Sequence, residues 1–440
     1  MISAIIAFSV RNRLLVLLAT AAVCLLGVYC LYRTPVDAIP DLSENQVIVW
    51  ADWPGRSPRE VEDQITYPLS VNLQGLAGVR SIRATSEFGF SMINIIFEDR
   101  IDFYFARQRV LERLSIAGSF LPGGVVPYLA PDATALGQVF WYTVEGEGRS
   151  LDELRATQDW YVRWALNSVA GVAQVASVGG HVREYQIDIR PESLRAFDLS
   201  LGQVFEAVMR SNSSVGGKVM QKGGSEYLVR GIGWLRDLDD VRDVVVAERG
   251  GVPITVDRLG SVQMGPAFRR AVLEKDGREA VGGVVMMRWG ENPLRVTEAV
   301  KKKIQEIQPG LPAGVRIVPF YDRTGLIEAS IDTLTHTLVE EIAIATLVVL
   351  LVLVHLRSAI AICITLPIAV LMSFIVMYLL NIPSNIMSLS GIAISIGVLV
   401  DAGIVMTENA YHRLHDRFRG GVVTGDTREI VREACQLVGG

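Results

Sequence analysis

From Ser358 to Val400 the chain carries no Asp, Glu, Lys, Arg or His, and the very next residue is Asp401. An uncharged run of this length reads as membrane-spanning helix rather than as soluble core. The segment around the acid, GIAISIGVLVDAGIVMTEN, extends from Gly391 to Asn409. A carboxylate near the middle of a membrane helix costs roughly 2.5–3.5 kcal/mol on insertion scales. Residues that carry such a cost commonly relay protons or ions. Ala393, Gly397 and Asp401 fall on one helical stripe, with Glu408 two turns beyond. Small residues leading to an acid allow a neighbouring helix to approach the carboxylate. Two plainer roles stay open: a position near the membrane–water boundary, or pairing with a cation that holds helices together.

Composition limits the rest. The chain has 440 residues, 50% of them hydrophobic, and a positive mean hydropathy. That is too apolar for an ordinary soluble protein and too polar for an all-membrane one, so a few spans plus a large water-exposed part are expected. The net charge of −5 argues against a nucleic-acid partner, and the short basic run Lys301–Lys303 reads as a solvated helix face. Cys24, Cys30, Cys363 and Cys435 form neither a disulfide framework nor a CxxC metal site. The five histidines have no zinc-ligand spacing. With no GxSxG, no Walker A lysine motif and no convincing GxGxxG, an enzyme and an ATP-driven transporter are the least supported classes. No cofactor is expected.

Four spans are expected. Leu14 to Tyr32 is uncharged and about 28 Å long as a helix. Arg11 and Arg13 before it place the amino terminus in the cytoplasm. A cleaved signal peptide is the rival, but Arg33-Thr34-Pro35 follows instead of a cleavage site. Met1 to Val10 then lies at the interface. The second span is Ile342–Leu356, continuous with a helix from near Thr324, and His355-Leu356-Arg357 makes a tight cytoplasmic turn. The third runs from Ser358 to about Leu380. Asn381–Asn385 breaks it, and the fourth follows. The basic stretch Tyr411–Arg419 brings the chain back inside.

Between the first two spans lie roughly 300 residues of soluble character. Strands are expected at Gln46–Trp53, Val79–Thr85, Ser91–Phe97, Gln138–Val144, Val172–Val178, Arg183–Ile189, Ala280–Met287 and Val315–Phe320. Capping boxes at Ser57–Glu60 and Ser150–Glu153 open helices to about Gln74 and Val169. Further helices are expected over Asp102–Ala117, from Ser200, and over Asn292–Gln305. Gly216–Gly224 reads as an exposed loop. The strand–helix–strand order points to βαβ-type sandwich modules. The fold class is an α-helical membrane protein with a large α+β domain outside the membrane.

The segments TPVDAIPDLSENQV (34–47), PGRSPREVEDQITYPL (54–69), VASVGGHVREYQIDI (175–189), GPAFRR (265–270), YDRTGLI (321–327), IMSLSGIAISIG (386–397) and VDAGIVMTEN (400–409) stand in this order along the chain. Through them the sequence resembles the N-terminal half of a heavy-metal efflux pump of the resistance–nodulation–division superfamily, and the copper/silver subgroup fits best. The resemblance implies an inner-membrane homotrimer in the lipid bilayer that docks to a periplasmic adaptor protein and an outer-membrane channel. It exports metal by proton antiport. The implied parts are an interfacial helix and first span (1–36), a first porter subdomain (37–134), a second porter subdomain (135–180 with 270–330) and an interleaved docking subdomain (181–269). Spans two to four (331–410) and a cytoplasmic segment before a fifth span (411–440) complete it. Efflux of divalent metals or of drugs and amphiphiles, and a non-transporting truncated remnant, are the alternatives.

Residue by residue, Asp401 falls on the family's relay aspartate, and Glu408 on the Glu of its VDAxIVMxEN motif. Met387 and Met406 match methionines along the proposed copper/silver path, a sensible chemistry because Cu(I) and Ag(I) favour thioethers. The sequence departs at Leu399 and Phe268, where those pumps have methionine. Ser395 replaces the extra acid of zinc/cobalt/cadmium pumps, which leans toward soft ions. Met286 and Met287, adjacent on a strand, are expected to face opposite ways.

Overall fold

A computed structural model of the chain describes residues 2–269, 271–353, 356–418 and 425–438. Met1, Arg270 of the GPAFRR segment, His355 of the expected turn, Arg419 of the basic stretch and Gly440 lie outside them.

The soluble part is built on two sheets with the same layout. In the first, the spatial order is Val79–Glu87, Phe90–Phe97, Gln46–Asp52 and Tyr128–Leu129. All pairings are antiparallel. The strands joined by a helix, Gln46–Asp52 and Val79–Glu87, are parallel to each other, with Phe90–Phe97 inserted between them. The βαβ units are therefore split ones. Alternation in Gln46–Asp52 buries Val47, Val49 and Ala51 against Ile65, Leu69 and Val110 of the covering helices. Each of the larger side chains contributes about 1.5–3 kcal/mol, and the Ala51 methyl well under that.

The second sheet repeats this with one strand supplied late. Arg278–Met287 lies between Gln138–Gly146 and Val172–Gly179, antiparallel to both, and Val315–Asp322 pairs on the outer side of Gln138–Gly146. Its core includes Phe140, Tyr142, Leu166 and Val285. A bulge between Met286 and Met287 breaks the strict alternation expected of that pair, and Met287 packs against the core. Residues 181–269 leave and re-enter through one strand pair, Arg183–Ile189 with Gly260–Pro266.

The first capping box closes: Ser57 N–H donates to Glu60 Oε2 at 2.9 Å and Glu60 N–H to Ser57 Oγ at 3.4 Å. The helix it opens is not regular. A π turn over Glu62–Thr66 precedes Tyr67–Leu73. Pro68 lacks the N–H that would bond back to residue 64, and the wider turn absorbs the misfit. At the second box, Ser150 caps without a side-chain bond to the helix backbone. Gly216–Gly224 is not a plain loop. It belongs to an exposed hairpin of Val215–Lys222 and Ser225–Gly231.

Helices Ile2–Arg11, Arg13–Arg33, Arg323–Leu353, Leu356–Leu379, Ile386–Phe418 and Arg428–Val438 form a separate body. Among the described residues, Arg13–Arg33 and Ile386–Phe418 are long and apolar enough to cross a membrane. Leu14 and Leu25 of the first are each 75% exposed and face away from the other helices. Leu356–Leu379 packs along Arg13–Arg33 at Gly27, where a Cβ would stand 2.7 Å from Leu371 Cβ. Leu356 and Arg357, expected in a turn, already belong to the helix. Arg323–Leu353 starts directly after the strand Val315–Asp322, so it joins the sheet to the helical body.

Candidate functional site

The site is organised by Ile386–Phe418. Its start is fixed by Asn385, whose Oδ1 accepts from the backbone N–H groups of Met387 and Ser388, both at 3.0 Å. That is an N-cap, and it satisfies donors that would otherwise be orphaned in the helix's first turn. The residue before it is held by the first helix's exit. Ser384 N–H donates to Pro35 C=O at 2.8 Å and Asp37 N–H to Ser384 C=O at 2.9 Å. Asp37 in turn pairs with Arg323, which is 4% exposed and also bonds the carbonyl of Leu136 in the second sheet module. Burial pushes the Asp37 carboxyl above the usual carboxylate range, while Arg323 and the Ala38 N–H pull it back.

Four turns into that helix, Asp401 opens on a groove of about 730 Å³. The facing wall is Arg323–Leu353, through Thr337, Glu340, Glu341 and Ile344. Ala393 and Gly397, the small residues of the Asp401 stripe, form the near wall. The groove thus brings three carboxylates together: Asp401, Glu340 and Glu341. Sequence patterning points to Asp401 and not to the two glutamates. Their signal was available, an acid pair just before the apolar run from Ile342, but an acid pair on a helix projecting from the membrane reads as a solvated face.

The other candidates lie elsewhere. Glu408 is on nearly the same face as Asp401, within about 20° by helical rotation. Its carboxylate sits 3.7 Å from His412 Nε2 and is 56% exposed. Near it, Asn409 Nδ2 donates to Ala434 C=O of Arg428–Val438 at 2.7 Å, which packs that amphipathic helix against the end of the long one. Met387 is 67% exposed at the helix start. Met406 is half-buried and about 140° around the helix from Asp401. The two methionines are not brought together. A second groove, about 510 Å³, lies between Leu356–Leu379 and the Asp401 helix. Met372 and Met377 line it opposite Ser388, Gly391 and Ser395. These two thioethers, on the neighbouring helix, were not anticipated. They face the first turns of the Asp401 helix, from Ser388 to Ser395, before Leu399 is reached.

The model of the AcrB/AcrD/AcrF family matches residues 5–439. The chain belongs to this family. It is 44% identical to the cation efflux system protein CusA of Escherichia coli K12 over 420 residues, covering 94% of this chain and 40% of that protein. It is 42% identical to the putative cation efflux system protein SilA of Salmonella typhimurium, covering 100% of this chain and 43% of SilA. The cobalt-zinc-cadmium resistance protein CzcA of Cupriavidus metallidurans is 37% identical, with 94% and 40% covered. The fold superposes on a crystal structure of a heavy metal efflux pump with a TM-score of 0.85 at 33% identity, covering 98% of this chain and 42% of that one. The chain therefore spans about two fifths of the length of these family members. The resemblance to the resistance–nodulation–division superfamily and its copper/silver pumps holds.

Proposed function

We propose that this chain forms the amino-terminal half of a proton-driven exporter of Cu(I) or Ag(I) in a bacterial inner membrane. Arg13–Arg33, the apolar part of Arg323–Leu353, Leu356–Leu379 and the apolar part of Ile386–Phe418 are its spans, with both chain ends cytoplasmic. Residues 37–134, and 135–180 with 270–330, are periplasmic porter subdomains, and 181–269 is the docking subdomain. The pump works as a homotrimer with a periplasmic adaptor and an outer-membrane channel. Single cysteines at Gly216 and Arg417 test this topology. Outside labelling of the first alone is expected, and outside labelling at position 417 overturns four spans.

The groove shared by Asp401, Glu340 and Glu341 carries the reading. Carboxylates set among apolar helices serve as proton carriers when they face a cavity rather than lipid. Asp401 is the relay residue, and Glu340 and Glu341 hold protons in transit to it. Glu408, near the basic helix end, exchanges protons with the cytoplasm. Soft-ion selectivity is supported by Ser395 in place of a further acid and by thioethers at Met387, Met406, Met372 and Met377.

Asp401→Asn in the full-length protein keeps size and hydrogen bonding but cannot change charge. It is expected to abolish proton-coupled metal efflux from vesicles while trimer assembly persists. Normal coupled efflux by Asp401→Asn ends the relay assignment.

A further inference from the structure

The two walls of the Asp401 groove meet again at one point, well away from the carboxylates. Arg323–Leu353 is an unbroken helix of 31 residues, so Glu340 lies about 26 Å along it from Arg323. Asp401 lies about 22 Å from Ile386, the first residue of its own helix. The groove therefore sits at a similar depth below both helix starts, and both starts close on the same short segment, residues 34–38. Asp37 receives Arg323 through its carboxylate. Its backbone N–H donates to Ser384 C=O, Ser384 N–H donates back to Pro35 C=O, and Ile386 N–H donates to Ala38 C=O at 3.3 Å. Val36 and Ser384 add a parallel β-bridge. Thr34, Arg323, Thr324, Ser384 and Asn385 are each 5% exposed or less, so this is a buried polar knot and not a surface ion pair.

The knot also reaches the second sheet. Strand Val315–Asp322 runs into Arg323 with no residue between, and Arg323 bonds the Leu136 carbonyl just before strand Gln138–Gly146. Those two strands are neighbours in the sheet. Lys301 of helix Pro293–Ile307 holds Asp322 Oδ2 at 2.5 Å and Thr324 Oγ1 at 3.2 Å. Stability does not account for the charges, because a buried ion pair is often no more stabilising than apolar residues of the same volume. What a guanidinium adds is direction. Its planar fork holds Asp37 and the Leu136 carbonyl at fixed angles, whereas apolar side chains slide over one another. Protonating carboxylates in apolar surroundings removes their mutual repulsion and so changes the spacing of the groove walls. Stiff helices clamped together at one end turn that change of spacing into a tilt at the clamp.

We propose that Asp37 is a positioning residue for transport: paired with Arg323 and strapped to Ser384, it passes the movement of the groove walls to the second sheet module. The inference rests on the relay role of Asp401. It assigns Asp37 no contact with metal or with the transferred proton. Asp37 and Arg323 fall in TPVDAIPDLSENQV and YDRTGLI, two segments of the superfamily resemblance from which no relay or metal residue was drawn.

The test separates proton movement from metal movement. Full-length protein is reconstituted into vesicles carrying a pH gradient, in chloride-free buffer, with Ag(I) as the ion. Wild type is expected to collapse the gradient only when Ag(I) is present. Asp37→Leu with Arg323→Met removes both charges and keeps the bulk. It should reach a thermal midpoint near wild type, yet move Ag(I) about tenfold more slowly and dissipate the gradient without Ag(I) about threefold faster. A merely structural pair predicts that transport returns with stability. Ag(I) transport within about twofold of wild type in this stable variant therefore overturns the proposal. If the double variant does not assemble, Asp37→Asn assayed below its midpoint gives the same comparison. Ag(I) transport lost while the proton leak remains supports the joint, and proton and Ag(I) movement changing in parallel overturns it. Asp401→Asn should stop both movements. Proton flux that persists in Asp401→Asn overturns the relay reading instead, so the two failures are told apart.

Discussion

Arg323 Nη2 lies 2.9 Å from both carboxylate oxygens of Asp37, across 286 residues of chain. The pair ties three parts together: the exit of Arg13–Arg33, the start of the helix that carries Glu340, and the carbonyl of Leu136 in the second sheet module. Breaking a buried pair from one side strands the other charge and costs about 3–5 kcal/mol. Asp37→Asn is therefore expected to lower the thermal midpoint of the purified protein clearly, and Asp37→Leu with Arg323→Met to recover most of the loss. An unchanged midpoint in Asp37→Asn shows that the pair bears little of the junction's stability.

Gly27 is the contact point between Arg13–Arg33 and Leu356–Leu379. A Cβ there would stand 2.7 Å from Leu371 Cβ and 3.0 Å from its carbonyl oxygen. Gly27→Val should destabilise the helical body by about 1–3 kcal/mol through overpacking. Leu371→Ala should not rescue it, because the clashing Cβ and carbonyl remain. Leu371→Gly should rescue it in part. Thermal unfolding of the single and double variants in detergent decides, and full rescue by Leu371→Ala contradicts the close backbone approach.

Metal tolerance should respond to thioethers on two helices. Met387→Leu, Met406→Leu and Met372→Leu are each expected to lower copper and silver tolerance partially, and Leu399→Met to raise it slightly. Met387 and Met406 are about 28 Å apart along the helix, so they act as separate stations. Leucine fills nearly the same volume as methionine, and such swaps cost less than about 1.5 kcal/mol. Wild-type survival in all three leucine variants would mean that these methionines only pack.

Acid sensitivity should have a source in the second sheet. Glu145 accepts from Lys275 Nζ at 2.5 Å and faces Arg316 Nη2 at 3.2 Å. The Lys275 hydrogen bond is the main reason its carboxyl is held below the usual range, partly opposed by burial. A depressed carboxylate adds stability that is present above its unfolded pKa, about 4.3, and lost as pH falls through the lower folded value. Glu145→Gln should therefore weaken the protein at neutral pH by up to about 1 kcal/mol, and the difference from wild type should vanish below that range. Urea melts at neutral pH and pH 3 measure it; an equal difference at both pH values rules out the charge.

The sequence by itself determined the membrane character, the relay candidate and most element boundaries. The uncharged run ending at Asp401 has no stable place in water, and the Ser57–Glu60 capping box and the Asn381–Asn385 break are local signals that need no distant partner. The superfamily was legible for the same reason, since its motifs are short and contiguous. Only the tertiary structure decided what meets what. Arg278–Met287 enters between two strands that precede it by a hundred residues or more, and backbone hydrogen bonding gives no hint of that partner in the residues themselves. Glu340 and Glu341 look like solvated charges until Arg323–Leu353 is laid against the Asp401 stripe. Asp37 and Arg323 are an ordinary acid and an ordinary base in sequence. Burial is a property of the packed neighbours, and it is burial that turns such residues into a strut and into the wall of a groove.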